Sequence, residues 1–337
     1  MKKIIIEKKS ISNFSKPFLI AEIGINHNGS MTLAKEMILA AKESGADAVK
    51  FQFFQKNKLI NPYIKKGSAV AKTLSKYTLT KDQVASLKEY STKNQISFLA
   101  TPFDIEAVKF LKSLKQSFYK IASGDINNFM LLEAVAKTQK PIILSTGASN
   151  LSEIKEALTF IKKWNAKIIL LHCVSLYPTP ADKINLWSIP FLQNTFQTPI
   201  GLSDHTKGIK VMLYAALLGA SVIEKHFTLD KKLKGPDQKI SATPSDLKKY
   251  IKNFKQILLT TGEYTKNSLS SELKGHFWGR RSLVASKDIH IGDIFSNKNI
   301  IPLRPMENLP ASDYLKIKSK KAKNFIKAGS YISKKDF

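Results

Sequence analysis

Residues 18–54, FLIAEIGINHNGSMTLAKEMILAAKESGADAVKFQFF, contain the pattern that decides the fold class. An apolar run over 18–24 precedes a segment in which apolar residues recur at helical spacing, and a second apolar run rich in Val and Phe follows over 47–54. Gly45 stands where the helical pattern stops, which is typical of a helix C-terminus. The stretch therefore predicts a strand, a helix and a second strand, which is the repeating unit of a parallel sheet.

The same alternation continues through the first 262 residues. Thr80 is the predicted N-cap of the helix that follows the second strand. Further strands are predicted at 96–101, 118–123, 141–146, 166–173, 199–203 and 221–227, each followed by a helical stretch. Eight such units predict a closed (β/α)₈ TIM barrel rather than an open doubly wound sheet. The first strand is not followed by G-x-G-x-x-G, which argues against a dinucleotide-binding sheet.

The sequence pattern changes after residue 262. Residues 263–278 form a polar connector, and residues 279–337 alternate short β-like runs with turns such as Ile291-Gly292-Asp293. We therefore predict a barrel domain over 1–262, a linker over 263–278 and a small, mostly β domain over 279–337. A module of this size has a limited core of its own.

The net charge of +28 is large enough to suggest nucleic acid binding, but its distribution argues against that function. Arg280, Arg281 and Arg304 are the only arginines, and the lysines are spread along every predicted helix. Base readout and bidentate phosphate contacts depend mainly on arginine. We expect a lysine-rich solvated surface, no nucleic acid partner and some attraction of anionic substrates.

The apolar runs and the cysteine content bear on the cellular compartment. The N-terminal apolar run is interrupted by Glu7, Lys8 and Lys9, so it lacks the apolar core of a signal peptide. No segment reaches the roughly 20 apolar residues that span a bilayer. Cys173 is the single cysteine, which excludes an intrachain disulfide and suggests a small buried core residue. We expect a cytoplasmic protein without a membrane partner.

Polar residues gather at the predicted C-terminal ends of the strands, which is where a (β/α)₈ barrel carries its active site. Because inward and outward residues alternate along a strand, Lys50 and Gln52 share one face, whereas Lys225 points away from Glu224 and His226. Lysines and hydroxyls suit a phosphate, and imidazoles with a carboxylate suit a divalent metal. The residues at these strand ends include Glu22, Lys50, Gln52, Thr101, Lys120, Ser123, Ser145, His172, Ser203, His205, Glu224 and His226.

His205 and His226 end the predicted adjacent strands seven and eight. Glu22 lies on strand one, which stands beside strand eight when the barrel closes. We therefore predict that His205 and His226 share a metal ion. Imidazole and oxygen ligands favour Mn²⁺, Zn²⁺ or Fe²⁺ over Ca²⁺ and leave Mg²⁺ open.

Successive motifs of the chain resemble those of one enzyme family: AEIGINHNGS, ADAVKFQ, ATPFD, YKIASGDINN, PIILSTG, LLHCVSLYPTP, GLSDHT, EKHFT and GPD. They are similar to the sialic acid (nonulosonic acid) synthase family, of the N-acetylneuraminate and legionaminate synthase type. RRSLVASKDIHIGD resembles the antifreeze-like (SAF) domain that follows the barrel there. The resemblance implies a metal-dependent transferase that condenses phosphoenolpyruvate with an N-acyl mannosamine-type sugar and releases phosphate.

The resemblance also implies a role for each matching residue. His205 and His226 would hold the metal, with Mn²⁺ favoured and Mg²⁺ or Co²⁺ as alternatives, and Glu22 would orient or deprotonate the attacking water. The implied phosphoenolpyruvate-binding residues are Lys50, Thr101, Lys120, Ser123, Ser145 and Ser203. The implied sugar-binding residues are Gln52, Tyr177, Asp237 and Arg304. Arg304 would reach the sugar from the small domain of the other subunit in a domain-exchanged homodimer.

Two departures from the family motifs leave the sugar open. Ser175 stands where related motifs often have asparagine, and Gln238 stands where legionaminate-type members often have histidine. N-acetylmannosamine is slightly favoured over 2,4-diacetamido-2,4,6-trideoxymannose, the substrate of an N,N'-diacetyllegionaminate synthase. A synthase of 3-deoxy sugar acid phosphates and a non-enzymatic polyanion binder are more remote alternatives.

Overall fold

The computed structural model describes residues 3–61, 63, 72, 74–165, 167–262 and 265–337. The chain divides into two compact units, Met1–Gly262 and Glu263–Phe337. Within the described residues, every helix is too short or too polar to cross a membrane.

The first unit begins with a short antiparallel hairpin, β1 (Ile4–Ile6) and β2 (Lys9–Ile11), which the sequence did not predict. Eight parallel strands follow in one sheet: β3 (Phe18–Gly24), β4 (Ala48–Phe53), β5 (Ser97–Pro102), β6 (Tyr119–Ile121), β7 (Ile142–Ser145), β8 (Ile168–Cys173), β9 (Ile200–Asp204) and β10 (Val222–His226). Their order around the sheet is β5-β4-β3-β10-β9-β8-β7-β6. The last strand pairs with the first, with His226 beside Glu22 in the register. This arrangement confirms the predicted (β/α)₈ barrel.

Helices alternate with these strands, and their apolar faces pack on the outer side of the sheet. Thr80 caps the helix after β4, as predicted, because its side chain accepts the backbone N–H of Gln83. In the part of the first unit that the structure describes, the helices are α1 (Met31–Glu43), α2 (Lys56–Leu59), α3 (Lys81–Lys93), α4 (Ile105–Ser113), α5 (Phe129–Ala136), α6 (Leu151–Ile161), α7 (Ser188–Phe196), α8 (Lys210–Leu217) and α9 (Pro244–Thr261).

The interior of the barrel is apolar near the N-terminal ends of the strands and polar near their C-terminal ends. Inward residues near the strand starts, such as Ile20, Leu99 and Ile143, form a buried apolar cluster. Ile6 and Ile11 of the β1–β2 hairpin belong to the same cluster, so the hairpin closes the N-terminal end of the barrel. The buried charged side chains Lys50, Lys120 and Glu224 lie instead at the opposite, C-terminal end.

The hairpin closure predicts a small, site-specific loss of stability. Ile6 is 0% exposed, whereas its neighbour Ile5 is 57% exposed. We expect Ile6→Val to lower the free energy of unfolding of the barrel by about 0.5–1.5 kcal/mol, because it removes one buried methylene. Ile5→Val is the matched control and should leave that free energy unchanged in denaturant titrations. Equal effects of the two variants would contradict the closure.

The second unit is small and has its own core. Its strands β11 (Ser282–Ala285) and β12 (Ile300–Leu303) pair antiparallel. The segment predicted as a linker contains the start of a helix, α10 (Leu273–Gly279), and a short α11 (Tyr314–Ile317) lies further along. Ile289, Phe295 and Ile317 are fully buried in its core. This agrees with the prediction of a small, mostly β domain.

Candidate active site

A cavity of about 160 Å³ opens at the C-terminal end of the barrel. It collects side chains from β3, β4, β6, β7, β8, β9 and β10 or from the residues that follow them. The cavity is lined by Glu22, Lys50, Gln52, Lys120, Ala122, Ser123, Gly124, Ser145, Cys173, Ser175, Tyr177, Ser203, His205, Glu224 and His226. Lys225 points outward to Asp204 instead, as strand alternation predicts.

Two buried ammonium groups and two buried carboxylates form the floor of the cavity. The Lys50 Nζ lies 2.7 Å from Glu22 Oε2 and 3.8 Å from Glu224 Oε2, and it donates to Thr101 Oγ1 at 3.3 Å. The Lys120 Nζ lies 3.6 Å from Glu224 Oε1. Ser203 donates its hydroxyl to the same Glu224 oxygen at 3.1 Å. The four charges therefore form one network.

Burial acts differently on the pKa values of these groups. Burial lowers the pKa of Lys120 below its usual value, and Glu224 opposes this shift only partly. For Lys50, burial is outweighed by Glu22 and Glu224, so its pKa is raised. Burial raises the pKa of Glu22 despite the opposing ammonium of Lys50. An added anion would stabilise the charged form of Lys120, so the cavity favours a ligand with phosphate or carboxylate groups.

The two histidines face each other across the cavity mouth. Their ring centroids are 5.5 Å apart, and the Tyr177 ring lies 4.0 Å from that of His205. His205 Nδ1 lies 2.9 Å from the Val174 carbonyl oxygen, so this nitrogen carries the proton and Nε2 keeps its lone pair. In the described residues, no hydrogen-bond partner reaches His226 Nδ1. Burial lowers the pKa of both imidazoles, which keeps them neutral.

Known proteins share both units of this chain. The NeuB family matches residues 37–266, and the SAF domain matches residues 280–337. The chain belongs to the NeuB family. The N,N'-diacetyllegionaminic acid synthase of Campylobacter jejuni is 44% identical over 312 residues, which cover 89% of this chain and 93% of that protein.

Two further relatives are similar to this chain at lower sequence identity. The N-acetylneuraminate-9-phosphate synthase of Homo sapiens is 36% identical over 289 residues, covering 83% of this chain and 80% of that protein. The crystal structure of N-acetylneuraminic acid (sialic acid) synthetase from Leptospira borgpetersenii serovar Hardjo-bovis, in complex with citrate, superposes with a TM-score of 0.77. That chain is 37% identical, and the match covers 81% of this chain and 95% of that chain.

Most of the residues to which the sequence assigned a role meet in this NeuB-family barrel, but three of them lie outside the cavity lining. His172, which the sequence also placed at this end of the barrel, does not line the cavity either. Thr101 is buried beside Lys50. Asp237 lies behind the lining, with its Oδ2 3.8 Å from His226 Nδ1. Arg304 belongs to the second unit, where it follows β12 and is exposed.

Three cavity residues with polar or ionisable side chains, Cys173, Ser175 and Glu224, received no individual role from the sequence. Glu224 contacts both lysines, and Ser175 lines the cavity after β8. Cys173 is buried, as expected, but its sulfur also faces the cavity, 3.9 Å from His205 Nδ1. Strand alternation could have indicated Cys173, because the neighbouring His172 points outward and bonds the Ile184 carbonyl.

The burial of His27, in the loop after β3, leads us to predict that the stability of the protein depends on pH. It is fully buried, Gly29 N–H donates to its Nδ1 at 3.0 Å, and burial lowers its pKa to about 4. The His27 side chain takes up a proton near pH 6.5 in the unfolded chain but only near pH 4 in the folded chain. The free energy of unfolding is therefore unaffected by the protonation of His27 above pH 6.5 and decreases as the pH falls below it, because protonation then favours the unfolded chain. At pH 5.5 the loss is about 1.4 kcal/mol.

The variant His27→Asn isolates this contribution, because its Oδ1 is bonded to Cγ as Nδ1 is in histidine, so it can still accept the Gly29 N–H but does not titrate. We expect the free energy of unfolding of the variant to fall less steeply than that of the original protein between pH 6.5 and 4. Denaturant titrations at several pH values measure both slopes. Parallel slopes would contradict the buried neutral state of His27.

Proposed function

We propose that this protein condenses phosphoenolpyruvate with the open-chain aldehyde of an N-acyl mannosamine-type sugar to give a nonulosonic acid and phosphate. One observation carries the proposal: a single cavity of a NeuB-family barrel combines two buried lysines and a set of hydroxyls with two neutral imidazoles and a buried carboxylate. The first group suits a phosphorylated carboxylic acid, and the second suits an aldehyde and a water molecule.

Phosphoenolpyruvate binds on the lysine side of the cavity in this proposal. Its phosphate and carboxylate take charge-assisted hydrogen bonds from the two ammonium groups, and the hydroxyls fix the orientation of its C3 atom. The residues assigned to it are Lys50, Thr101, Lys120, Ser123, Ser145 and Ser203. Burial lowers the pKa of Lys120 although Glu224 lies 3.6 Å from its Nζ, and an anionic ligand would stabilise its charged form, which supports this assignment.

A divalent metal fits the histidine side. His205 Nε2 has a free lone pair, His226 Nδ1 has no hydrogen-bond partner in the described part of the chain, and both rings are neutral. The described residues hold no cluster of three or more His, Cys, Asp or Glu side chains suited to a metal, so the protein would contribute two imidazoles. Mn²⁺ is the proposed ion, with Mg²⁺ or Co²⁺ as alternatives. When bound, it polarises the aldehyde oxygen of the sugar.

Glu22 is assigned as the general base that activates the water molecule. Carbon–carbon bond formation between C3 of phosphoenolpyruvate and the aldehyde carbon leaves a cation at C2, which water captures before phosphate departs. The Glu22 carboxylate, whose pKa is raised by burial, accepts the proton of that water. Its ion pair with Lys50 holds the carboxylate in place.

The sugar contacts the cavity mouth through Gln52, Tyr177 and Asp237. Gln52 donates to Glu22 Oε1 at 3.4 Å, and Tyr177 is 56% exposed over His205, so both offer polar groups near the proposed reaction centre. We propose 2,4-diacetamido-2,4,6-trideoxymannose as the sugar substrate, in place of the N-acetylmannosamine that the sequence motifs slightly favoured. The basis is the 44% identity to a diacetyllegionaminic acid synthase against 36% to an N-acetylneuraminate-9-phosphate synthase.

Phosphate release from phosphoenolpyruvate tests the proposal. Metal-stripped protein is assayed with Mn²⁺ restored, in the presence of N-acetylmannosamine, the 2,4-diacetamido sugar or arabinose 5-phosphate, and the product mass is determined. EDTA-sensitive turnover of an unphosphorylated N-acyl sugar is expected. Turnover of arabinose 5-phosphate alone would instead identify a synthase of 3-deoxy sugar acid phosphates. Salt-sensitive DNA binding without any turnover would favour the polyanion binder.

Arg304 provides a test of its proposed contact with the sugar. If its guanidinium binds the N-acyl group of the sugar, Arg304→Ala raises the KM for the sugar about tenfold and leaves the KM for phosphoenolpyruvate unchanged. Arg280→Ala, which removes another exposed arginine of the same unit, is the control and should change neither KM. An unaltered sugar KM in Arg304→Ala would show that Arg304 does not reach the substrate.

A further inference from the structure

A buried hydrogen-bond network joins two loops at the C-terminal end of the barrel. These are the β3–α1 loop (residues 25–30) and the β10–α9 loop (residues 227–243). Gln238 lies at the centre of the network and is 0% exposed. Its Nε2 donates to the Asn26 carbonyl oxygen at 2.9 Å, and its Oε1 accepts the Thr228 hydroxyl. One side chain therefore connects the β3–α1 loop to both ends of the β10–α9 loop.

Asn26 makes the reciprocal connection. It is also 0% exposed, and its Nδ2 donates to the Phe227 carbonyl oxygen at 2.9 Å and to Ser241 Oγ at 2.8 Å. Ser241 in turn donates to the Asp237 carbonyl oxygen at 2.7 Å. Because these groups lie away from water, each lost partner would leave a buried polar atom unsatisfied. The network therefore holds the two loops in a single arrangement.

This network fixes the backbone on both sides of Asp237. Gln238 is its immediate neighbour and begins the turn Gln238–Ile240, and the Asp237 carbonyl is held by Ser241. The Asp237 carboxylate itself lies 3.8 Å from Nδ1 of His226, which lines the cavity. A shift of this backbone would move the carboxylate but not the phosphoenolpyruvate-binding lysines, which are on β4 and β6.

We propose that Gln238 is a positioning residue for sugar binding, because it holds Asp237 in place against the sugar hydroxyls. This inference rests on the proposed function. Gln238 contacts no substrate atom and acts through the backbone of Asp237. Its loss should weaken sugar binding selectively, since the phosphoenolpyruvate side of the cavity does not depend on the β10–α9 loop.

Steady-state kinetics of Gln238→Met test the inference, because methionine keeps the length of the side chain and removes both hydrogen bonds. We expect the KM for the sugar to rise about tenfold and the KM for phosphoenolpyruvate to change less than about twofold. Gln193→Met is the matched control: Gln193 is also buried, but it bonds the Gly219 carbonyl oxygen on another part of the barrel. Thr228→Val removes one of the two hydrogen bonds and replaces Gln238→Met if that variant does not fold.

The outcomes separate the inference from the proposed function. An unchanged sugar KM in Gln238→Met, or an equal rise of both KM values, would overturn the inference while the function stands. If the unmodified protein turns over no sugar, the proposed function fails and the sugar-binding role of Gln238 fails with it, while amide hydrogen exchange over residues 228–241 still decides whether Gln238 holds this segment in place. Faster exchange in Gln238→Met than in Gln193→Met would support it, and equal exchange would overturn it.

Discussion

His226→Ala is expected to lower Mn²⁺-supported turnover about a thousandfold while the barrel remains folded, since a metal ligand contributes several kcal/mol of transition-state stabilisation. His226 is 7% exposed and its Nδ1 has no hydrogen-bond partner in the described residues. Its truncation therefore removes few structural hydrogen bonds. The variant should also bind Mn²⁺ more weakly, which is measured by titration of metal-stripped protein without substrate.

The control for this experiment is His290→Ala, which removes an exposed imidazole of the second unit. It should leave turnover, Mn²⁺ affinity and melting temperature unchanged. Near-normal activity and Mn²⁺ affinity in His226→Ala would exclude His226 as a ligand. A large fall in the melting temperature of His226→Ala would instead assign it a structural role.

The barrel could be predicted from sequence because its signals are local. Each strand is a short apolar run and each helix has periodic apolar residues, so the order of elements follows from pattern alone. The β1–β2 hairpin could not be predicted in this way. Its strands have three residues each, and Ile4, Ile6 and Ile11 are ordered by contact with the barrel interior rather than by a pattern of their own.

The candidate site could be predicted in part for the same reason. Strand ends and alternation predict that Lys50, His205 and His226 face one cavity. They do not give distances between strands, so the contacts of Glu224 with both lysines became visible only in the structure. The burial of Gln238 was equally hidden, because it depends on two loops that are about 200 residues apart in sequence.

Lys225→Met is expected to destabilise the barrel by about 3–5 kcal/mol, because it leaves a buried carboxylate without its cation. The Lys225 and Asp204 side chains are both 0% exposed, and their Nζ and Oδ2 atoms are 2.8 Å apart. Lys225 also donates to the Thr206 carbonyl oxygen, and Asp204 Oδ1 accepts the Thr206 N–H at 2.8 Å. This group lies on the outer side of β9 and β10, directly behind the two histidines.

Two comparison variants decide whether the buried charge causes the loss. Lys137→Met breaks the exposed pair with Glu133 and should cost less than about 1 kcal/mol. Lys225→Met combined with Asp204→Asn removes both charges, and the neutral amide oxygen can still accept the Thr206 N–H. The double variant should therefore recover more than half of the lost stability in denaturant titrations. If the double variant is as unstable as Lys225→Met alone, packing of the lysine stem, and not the uncompensated carboxylate, stabilises the two strand ends that carry His205 and His226.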